Sequence, residues 1–350
     1  MRTLVTLLDY ANLALFTLVA LAALREWRAG RGRAGLWAAL TFSALAVVVT
    51  VGRVVPEDPM NAVEFVVSKA LVGLLVLFPY FLYRFTAAFQ ASTPRVAHVL
   101  GVMTMVLLAT TFVTPEFPQA GEPRPAWFLA YLIAFLVHWT VLASAVAVRL
   151  WRAGSGEPSV ARRRMRLLGL ASIAITTALL LAAGGPREAS ALDLAATLLA
   201  MVSAVAFLLG LAPPQVLRML WRRPEQQALQ ASIAKLMGAT TQEEVVREVL
   251  PPMARIVGAR AIALRDANGR TIATHGVSEE MVTASLEDNP GEDEGGAEDV
   301  LRLDVPSGCL VIWRGPYAPF FGSDELALLR TLGALTGLAL DRSRLFADER

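Results

Sequence analysis

Seven runs of apolar residues fill the first 212 residues of this 350-residue chain, and they limit what it can fold into. They cover residues 4–24, 36–54, 63–81, 96–113, 126–148, 167–183 and 192–211, each about the length that a helix needs to cross a bilayer. Because lipid offers no hydrogen bonds to the backbone, such runs form helices. The sequence therefore predicts an all-α domain of seven membrane spans.

A short joint separates this domain from the rest of the chain. Pro213 and Pro214 end the last span, since proline lacks the backbone N–H. Residues 216–223 then form an amphipathic segment whose Trp221 suits the lipid headgroup layer. After Pro224 a new helix is predicted, with Leu229, Ile233 and Leu236 on one stripe. The predicted division is therefore a membrane domain at 1–212, a linker at 213–224, a soluble domain at 225–345 and the end of a signalling helix at 346–350.

Charge is distributed unevenly about this joint. Residues 1–212 hold 17 Lys+Arg and 10 Asp+Glu, a net of +7, whereas residues 213–350 hold 15 and 20, a net of −5. The basic residues lie in the first, third and fifth loops and in the joint, and the loops between them carry mainly acids. The positive-inside rule then predicts an outside N-terminus, a multi-pass protein of the inner membrane and a cytoplasmic C-terminal domain. No nucleic-acid partner follows from the pI of 8.9, which averages two unlike parts.

Charged residues inside the spans are costly, so each needs a partner or a role. Asp9, Arg53, Glu64 and Lys69 all fall within about 10 Å of the outer boundary. One interpretation is a salt-bridge cluster that fixes helix packing, in which Asp9 and Lys69 pair across the bundle. The other is a polar pocket, open to the outside, that binds a small molecule or senses protons. His138 lies in mid-span, and either a hydrogen bond to a neighbouring carbonyl or hydroxyl or a ligand role accounts for it.

The second half of the chain alternates helices and strands. Thr241 to Glu244 has the capping-box pattern of a helix start, and the apolar face of that helix is interrupted by Pro251 and Pro252. Hairpins are predicted around residues 266–269 and 306–308. A long helix begins at Ser323. The fold class is therefore a seven-helix membrane domain followed by an α+β domain.

This order of elements resembles a GAF domain, the small α+β sensory module. Residues 318–332, with Phe321 before the Ser323 cap and an acidic first turn, look like the last strand-to-helix passage of that family. The resemblance covers residues 225–345 and implies a dimeric signalling role. The segment between the hairpins, 278–299, is dense in acids and lacks the apolar content of a pocket lid, so we expect no cofactor. The single cysteine, Cys309, is expected in the core, and no metal site is predicted.

The final helix carries apolar residues at coiled-coil spacing, namely Leu328, Leu332, Leu335 and Ala339. This pattern predicts a parallel homodimer joined through the first and last helices of the soluble domain.

Seven spans, a joint and a GAF-like domain resemble the input half of bacterial membrane sensors, such as histidine kinases with seven N-terminal helices and similar diguanylate cyclases. In the membrane part the resemblance lies in the span count, the topology and residues 78–80. It implies a sensory input and transmission module whose output domain lies outside this chain. No motif for catalysis appears. The alternatives are a small-solute transporter with a regulatory domain and a retinal protein, although the seventh span has no lysine for a Schiff base.

The topology is tested by labelling in intact cells. In a Cys309→Ser background, Gly121→Cys should react with an impermeant maleimide and Ser155→Cys should not, because the two positions lie in loops of opposite charge character. Labelling of Ser155→Cys from outside would overturn the seven-span topology.

Overall fold

The computed structural model of the chain describes residues 2–30, 33–55, 61–87, 89, 93–114, 117–118, 123–155, 159–184, 191–221, 223, 227, 230–231, 241–257, 259–266, 268–278, 282, 300–305, 308–314 and 323–348. They form two compact units. The first comprises residues 1–155 and 162–214, and the second comprises residues 156–161 and 215–350.

The first unit contains the predicted spans. Its helices are α1 (Arg2–Gly30), α2 (Arg33–Val51), α3 (Ala62–Ala87), α4 (Pro94–Val113), α5 (Ala126–Ala153), α6 (Ser159–Gly184) and α7 (Ala191–Leu211). Seven helices in the described part of the chain are thus long and apolar enough to cross a membrane, and the predicted spans are confirmed by length and composition. The helices extend beyond the apolar runs because basic residues such as Arg28 and Arg152 continue the last turns.

The α2 helix packs against α1 and α3, the α3 helix also against α4 and α5, and α7 returns to contact α1. The α6 helix is held between its neighbours by small polar side chains. Trp139 Nε1 on α5 donates a hydrogen bond to Thr176 Oγ1 on α6, at 3.2 Å. Ser203 Oγ on α7 donates one to the backbone O of Ala171 on α6, at 2.8 Å. Such bonds are typical of helix association in lipid, where apolar surface alone gives little preference for another helix.

Aromatic rings fill the interior between these contacts. Phe42 on α2 meets Phe207 on α7 edge to face, with ring centroids 4.8 Å apart. Phe78 on α3 stacks on Trp139 of α5 at 5.2 Å. The α3 helix runs continuously through the adjacent Pro79. These buried pairs join helices that are distant in sequence, as offset and edge-to-face ring contacts do in soluble cores.

The C-terminus of α7 is fixed by a buried arginine of α6. Arg164 Nε donates to the backbone O of Gly210 at 2.8 Å, and its Nη2 donates to that of Leu211 at 2.5 Å. The last carbonyls of a helix have no partner within the helix, and a cation there also favours the helix dipole. A Cβ on Gly210 would lie 2.7 Å from a methyl carbon of Leu168, so glycine allows α6 and α7 to approach this closely. We call this region the Arg164 end of the bundle.

Other arginines at the Arg164 end lie over aromatic rings. Arg84 lies 4.8 Å from the ring centroid of Trp37, and Arg149 lies 4.9 Å from that of Tyr83. Arginine stacked on tryptophan or tyrosine is typical of the membrane–water interface.

The second unit contains a four-stranded antiparallel sheet and two long helices. The strands are β1 (Ala259–Arg265), β2 (Thr271–His275), β3 (Val300–Val305) and β4 (Gly308–Arg314), in the order β2-β1-β4-β3. Both predicted hairpins are confirmed, because β1 pairs with β2 and β3 pairs with β4. In the first turn, Asp266 Oδ1 accepts hydrogen bonds from the backbone N–H groups of Asn268 and Arg270 at 2.9 and 2.8 Å.

The helices α8 (Gln242–Val257) and α9 (Ser323–Asp348) pack against this sheet. The predicted cap of α8 is present, since Glu244 donates its backbone N–H to Thr241 Oγ1 at 3.3 Å. Pro251 and Pro252 lie inside α8, which is one helix, as the sequence predicts when it places them on the apolar face of a single helix. The tertiary packing of Val249, Leu250 and Met253 on either side offsets the lost backbone hydrogen bonds.

The core lies between the sheet and the two helices. Alternate residues of the strands face it, including Ile262 and Leu264 of β1 and Leu310 and Ile312 of β4. Gly333 of α9 belongs to this contact, because a Cβ there would lie 2.3 Å from Val305 Cγ1. A smaller cluster, Ala263, Val282 and Val311, lies on the other side of the sheet.

The predicted dimer seam on α9 coincides in part with this core. Leu332 is 2% exposed and belongs to the core, and Ala339 packs against it. Leu335 is half-buried, whereas Leu338 is 68% exposed. Leu332 therefore stabilises its own domain, and the dimer stays a prediction. Several predicted features lie wholly or mostly outside the described residues: the side chain of Leu328, the helix predicted after Pro224, the acidic 278–299 segment and the first five residues of the 318–332 motif.

This division of α9 gives a test with a built-in control. Leu332→Asp should destabilise the second unit by about 3 kcal/mol, because it places a carboxylate in the core. Leu338→Asp should change stability by less than about 0.5 kcal/mol in a monomer. Hydrogen exchange of α9 in the full-length protein measures both. Equal loss of protection in the two variants would mean that another surface covers Leu338.

Candidate functional site

Most of the charged residues that the sequence places inside spans gather at one end of the bundle. They lie in the first three turns of α1 and α3, in the first turn of α7 and just after the end of α2, and we call this region the Asp9 end. The structure brings some of these residues together and separates others, and the contacts decide what the region can bind.

Asp9 of α1 and Arg53, two residues after α2, form an ion pair. Arg53 Nη2 lies 3.1 Å from Asp9 Oδ2, and the two side chains are 32% and 37% exposed respectively. The guanidinium of Arg53 also lies 4.7 Å from the ring centroid of Tyr10. This pair is thus held in position yet open to the surroundings of the bundle.

Asn12 lies one helical turn after Asp9, where α1 contacts α7. Its Nδ2 donates a hydrogen bond to the backbone O of Thr197 at 3.1 Å. Its Oδ1 is buried and accepts no hydrogen bond from any described residue, although Asn12 is only 7% exposed. One turn before Thr197, Asp193 lies in the first turn of α7, and its backbone O accepts a hydrogen bond from Thr197 Oγ1 at 2.9 Å. A buried amide oxygen without a donor is costly.

Lys69 of α3 binds the C-terminus of α4. Its ammonium donates hydrogen bonds to the backbone O of Thr111 at 2.9 Å and to that of Thr114 at 3.0 Å. It also lies 4.0 Å from the ring centroid of Phe117. Lys69 is 3% exposed, so this is a buried cation at the negative end of a helix dipole.

These contacts correct the predicted pairing of Asp9 with Lys69. Asp9 pairs with Arg53, and the hydrogen bonds of Lys69 go to α4. The reason is that the unpaired carbonyls at the end of α4 offer the ammonium closer acceptors. Glu64 has a local role, because Asn61 Nδ2 donates to its Oε1 at 2.8 Å while its own backbone N–H donates to Asn61 Oδ1 at 2.9 Å. That reciprocal pair caps α3.

His138 of α5 lies away from the Asp9 end. Its Nε2 is 3.3 Å from Thr104 Oγ1 of α4. Seven residues later on α4 and seven residues earlier on α5, Tyr131 OH lies 2.7 Å from Thr111 Oγ1. The hydroxyl partner expected of a structural histidine is therefore present, and both contacts join α4 to α5.

Sequence reasoning missed two residues that matter most. Asn12 went unnoticed in an apolar run, although its position three residues after Asp9 places both on one helical face. Arg164 was counted only as a loop charge, whereas it is buried. No pattern in the sequence reveals which of several neighbouring arginines turns inward.

The described residues offer no metal centre, because no three His, Cys, Asp or Glu side chains among them gather in one place. Cys309 is half-buried on β4. Burial, together with the nearby Asp304 carboxylate, raises the pKa of its thiol. Cys309 is thus held as a protonated thiol and is a poor nucleophile.

Comparison with known proteins gives no further assignment. No protein-family model, no curated protein and no solved structure matches this chain. The arguments for function therefore rest on the chain's own residues.

A double-mutant cycle tests the separation of the charges. Asp9→Asn and Arg53→Gln should couple by about 0.5 kcal/mol, as partly exposed ion pairs do. Asp9→Asn and Lys69→Met should be additive, and Lys69→Met alone should cost about 2 kcal/mol by removing charged hydrogen bonds. Thermal unfolding in lipid nanodiscs measures each. Coupling between Asp9 and Lys69 larger than that between Asp9 and Arg53 would contradict the described contacts.

Proposed function

We propose that this chain is the membrane-bound input and transmission module of a signalling protein. In this proposal a stimulus acts at the Asp9 end of the bundle, on the outer side. The change passes to a cytoplasmic GAF-like domain, which works as a homodimer and controls a histidine kinase or cyclic-di-GMP output domain outside this chain. The protein would reside in the inner membrane of a bacterium.

The main support for the proposal is the pair of hydrogen bonds by which Arg164 binds the C-terminus of α7. Its two hydrogen bonds to Gly210 and Leu211 tie α6 to the last turn of α7, immediately before Pro213 and Pro214. At its other end, α7 carries Asp193 and contacts Asn12 through Thr197. One helix thus connects the polar groups of the Asp9 end with the segment that leads into the second unit. A packed helix moves as a rigid element, so it suits transmission.

The second unit supports the GAF-like part of the proposal. An antiparallel sheet with α8 and α9 packed on it is the α+β arrangement that the resemblance implies. The long helix α9 follows the sheet and suits the passage of a signal to a further domain. Leu335 and Leu338, which the core leaves partly or largely exposed, are the residues through which a second copy would pack.

The proposal is tested by fusing residues 1–350 to the catalytic core of a histidine kinase in proteoliposomes. Arg164→Met should fold but change autophosphorylation several-fold, because α7 loses the cap on its last turn. Arg152→Met is the matched control, since Arg152 is exposed on the last turn of α5, and it should leave autophosphorylation unchanged.

Two outcomes would contradict the proposal. Equal activity of wild type and both variants in every fusion register would mean that α7 transmits nothing. Accumulation of a small solute inside the same proteoliposomes, with no change in kinase activity, would favour the transporter alternative.

A further inference from the structure

We propose that the helix formed by residues 215–221, which we call the joint helix, docks onto a bilayer surface that contains anionic phospholipid. Val216, Met219 and Leu220 insert into the leaflet in which α7 ends, and Arg223 lies beside the lipid phosphates. This surface is independent of the proposed sensory function, because a transporter with the same joint would use it in the same way.

The joint helix has one exposed apolar face. Val216, Met219 and Leu220 are 72%, 58% and 46% exposed. Their spacing of three and four residues places them on one side of the helix. Arg223 is also helical and exposed, and it continues the same stripe seven residues after Val216. A cluster of large exposed apolar side chains beside a basic residue is typical of a surface that contacts a membrane or another molecule.

Trp221 determines which side of the joint helix faces outward. It is 7% exposed, and its backbone O accepts a hydrogen bond from Ser159 Oγ. At 3.6 residues per turn, Trp221 lies about 140° around the helix from Val216. The tryptophan that the sequence places in the headgroup layer is thus packed inside the protein, and the opposite face meets the surroundings.

The covalent chain makes a bilayer the partner that this face meets. The last helix long and apolar enough to cross a membrane ends at Leu211, and Pro213 and Pro214 separate it from the joint helix. Val216 follows Leu211 by five residues, so it lies within about 18 Å of the end of that span. This length lets the apolar face reach the boundary between headgroups and acyl chains, where amphipathic helices lie.

The charge of the segment selects anionic lipid. Residues 194–224 contain no Asp or Glu, and their basic residues are Arg218, Arg222 and Arg223. Basic residues next to a span are attracted to the negative surface of a leaflet rich in anionic lipid. An arginine also donates paired hydrogen bonds to phosphate oxygens, which a lysine does not.

Fluorescence quenching of the full-length protein in liposomes tests this surface. In a Cys309→Ser background, an environment-sensitive label is attached to Met219→Cys, or to Asn268→Cys in the exposed turn between β1 and β2 as the control. Phospholipid with a spin label on its acyl chain should quench the label at 219 and not the label at 268. Iodide, which stays in water, should do the reverse. Both effects at 219 should be larger with phosphatidylglycerol present than in phosphatidylcholine alone, at one ionic strength.

Three further variants, each combined with the label at 219, assign the residues. Arg223→Gln should lower the ratio of docked to free joint helix about fivefold when phosphatidylglycerol is present, which is the contribution of one basic residue near an anionic surface. Leu220→Glu should abolish quenching by the lipid, and it should not unfold the protein because Leu220 is partly exposed. Arg255→Gln is the matched control, since it removes an exposed arginine from the last turn of α8, and it should behave like the wild type.

The proposal is overturned if iodide quenches the label at 219 and the spin-labelled lipid does not. Protection from both quenchers, together with a disulfide between two copies of unlabelled Met219→Cys, would assign the face to a second copy and would overturn it as well. Equal quenching with and without phosphatidylglycerol, or an unchanged response in Arg223→Gln, would overturn the binding of anionic lipid.

Discussion

Backbone groups at the ends of membrane helices need hydrogen-bond partners that lipid cannot supply, and this constraint governs the bundle. Two buried cations supply such partners. Lys69 donates to the last carbonyls of α4, and Arg164 donates to those of α7. Burying a cation is costly, but each is placed at the negative end of a helix dipole with several acceptors in reach. The same residues that satisfy the helix ends therefore also join α3 to α4 and α6 to α7.

At Asn12, hydrogen bonding of the buried polar groups is incomplete. Elsewhere in the described bundle, hydroxyl groups such as those of Thr176 and Ser203 have partners on adjacent helices. At Asn12 the amide nitrogen donates a hydrogen bond to Thr197, whereas the amide oxygen is buried with no donor among the described residues. Incompletely satisfied buried groups are rare in proteins, and they mark places where a ligand or an ordered water is accommodated. Asn12 differs in this respect from Lys69, whose buried ammonium donates hydrogen bonds to the end of α4.

The second unit follows the physics of soluble proteins. Its strands alternate, so that one set of side chains meets α8 and α9 and the other set meets a smaller cluster. Gly333 allows α9 to pack close to β3, and Leu332 of α9 is buried in the core of the same domain. Some apolar residues of α9, such as Leu332, are therefore buried in the core of their own domain, whereas Leu338 is exposed. A heptad pattern alone does not distinguish these two uses, because a helix packed on a sheet and a helix in a coiled coil bury similar spacings.

The sequence by itself determined the seven spans, the four strands, the hairpins and the starts of α8 and α9. These features depend on local periodicity, run length and capping chemistry, which are written in neighbouring residues. Only the tertiary structure decided the partners: Arg53 rather than Lys69 for Asp9, and the end of α4 for Lys69. Partners are set by which helix faces meet, and the energy of a buried charge or a helical proline depends on those distant contacts. Asn12 and Arg164 acquire their importance in the same way, from the carbonyl groups of α7 that lie opposite them.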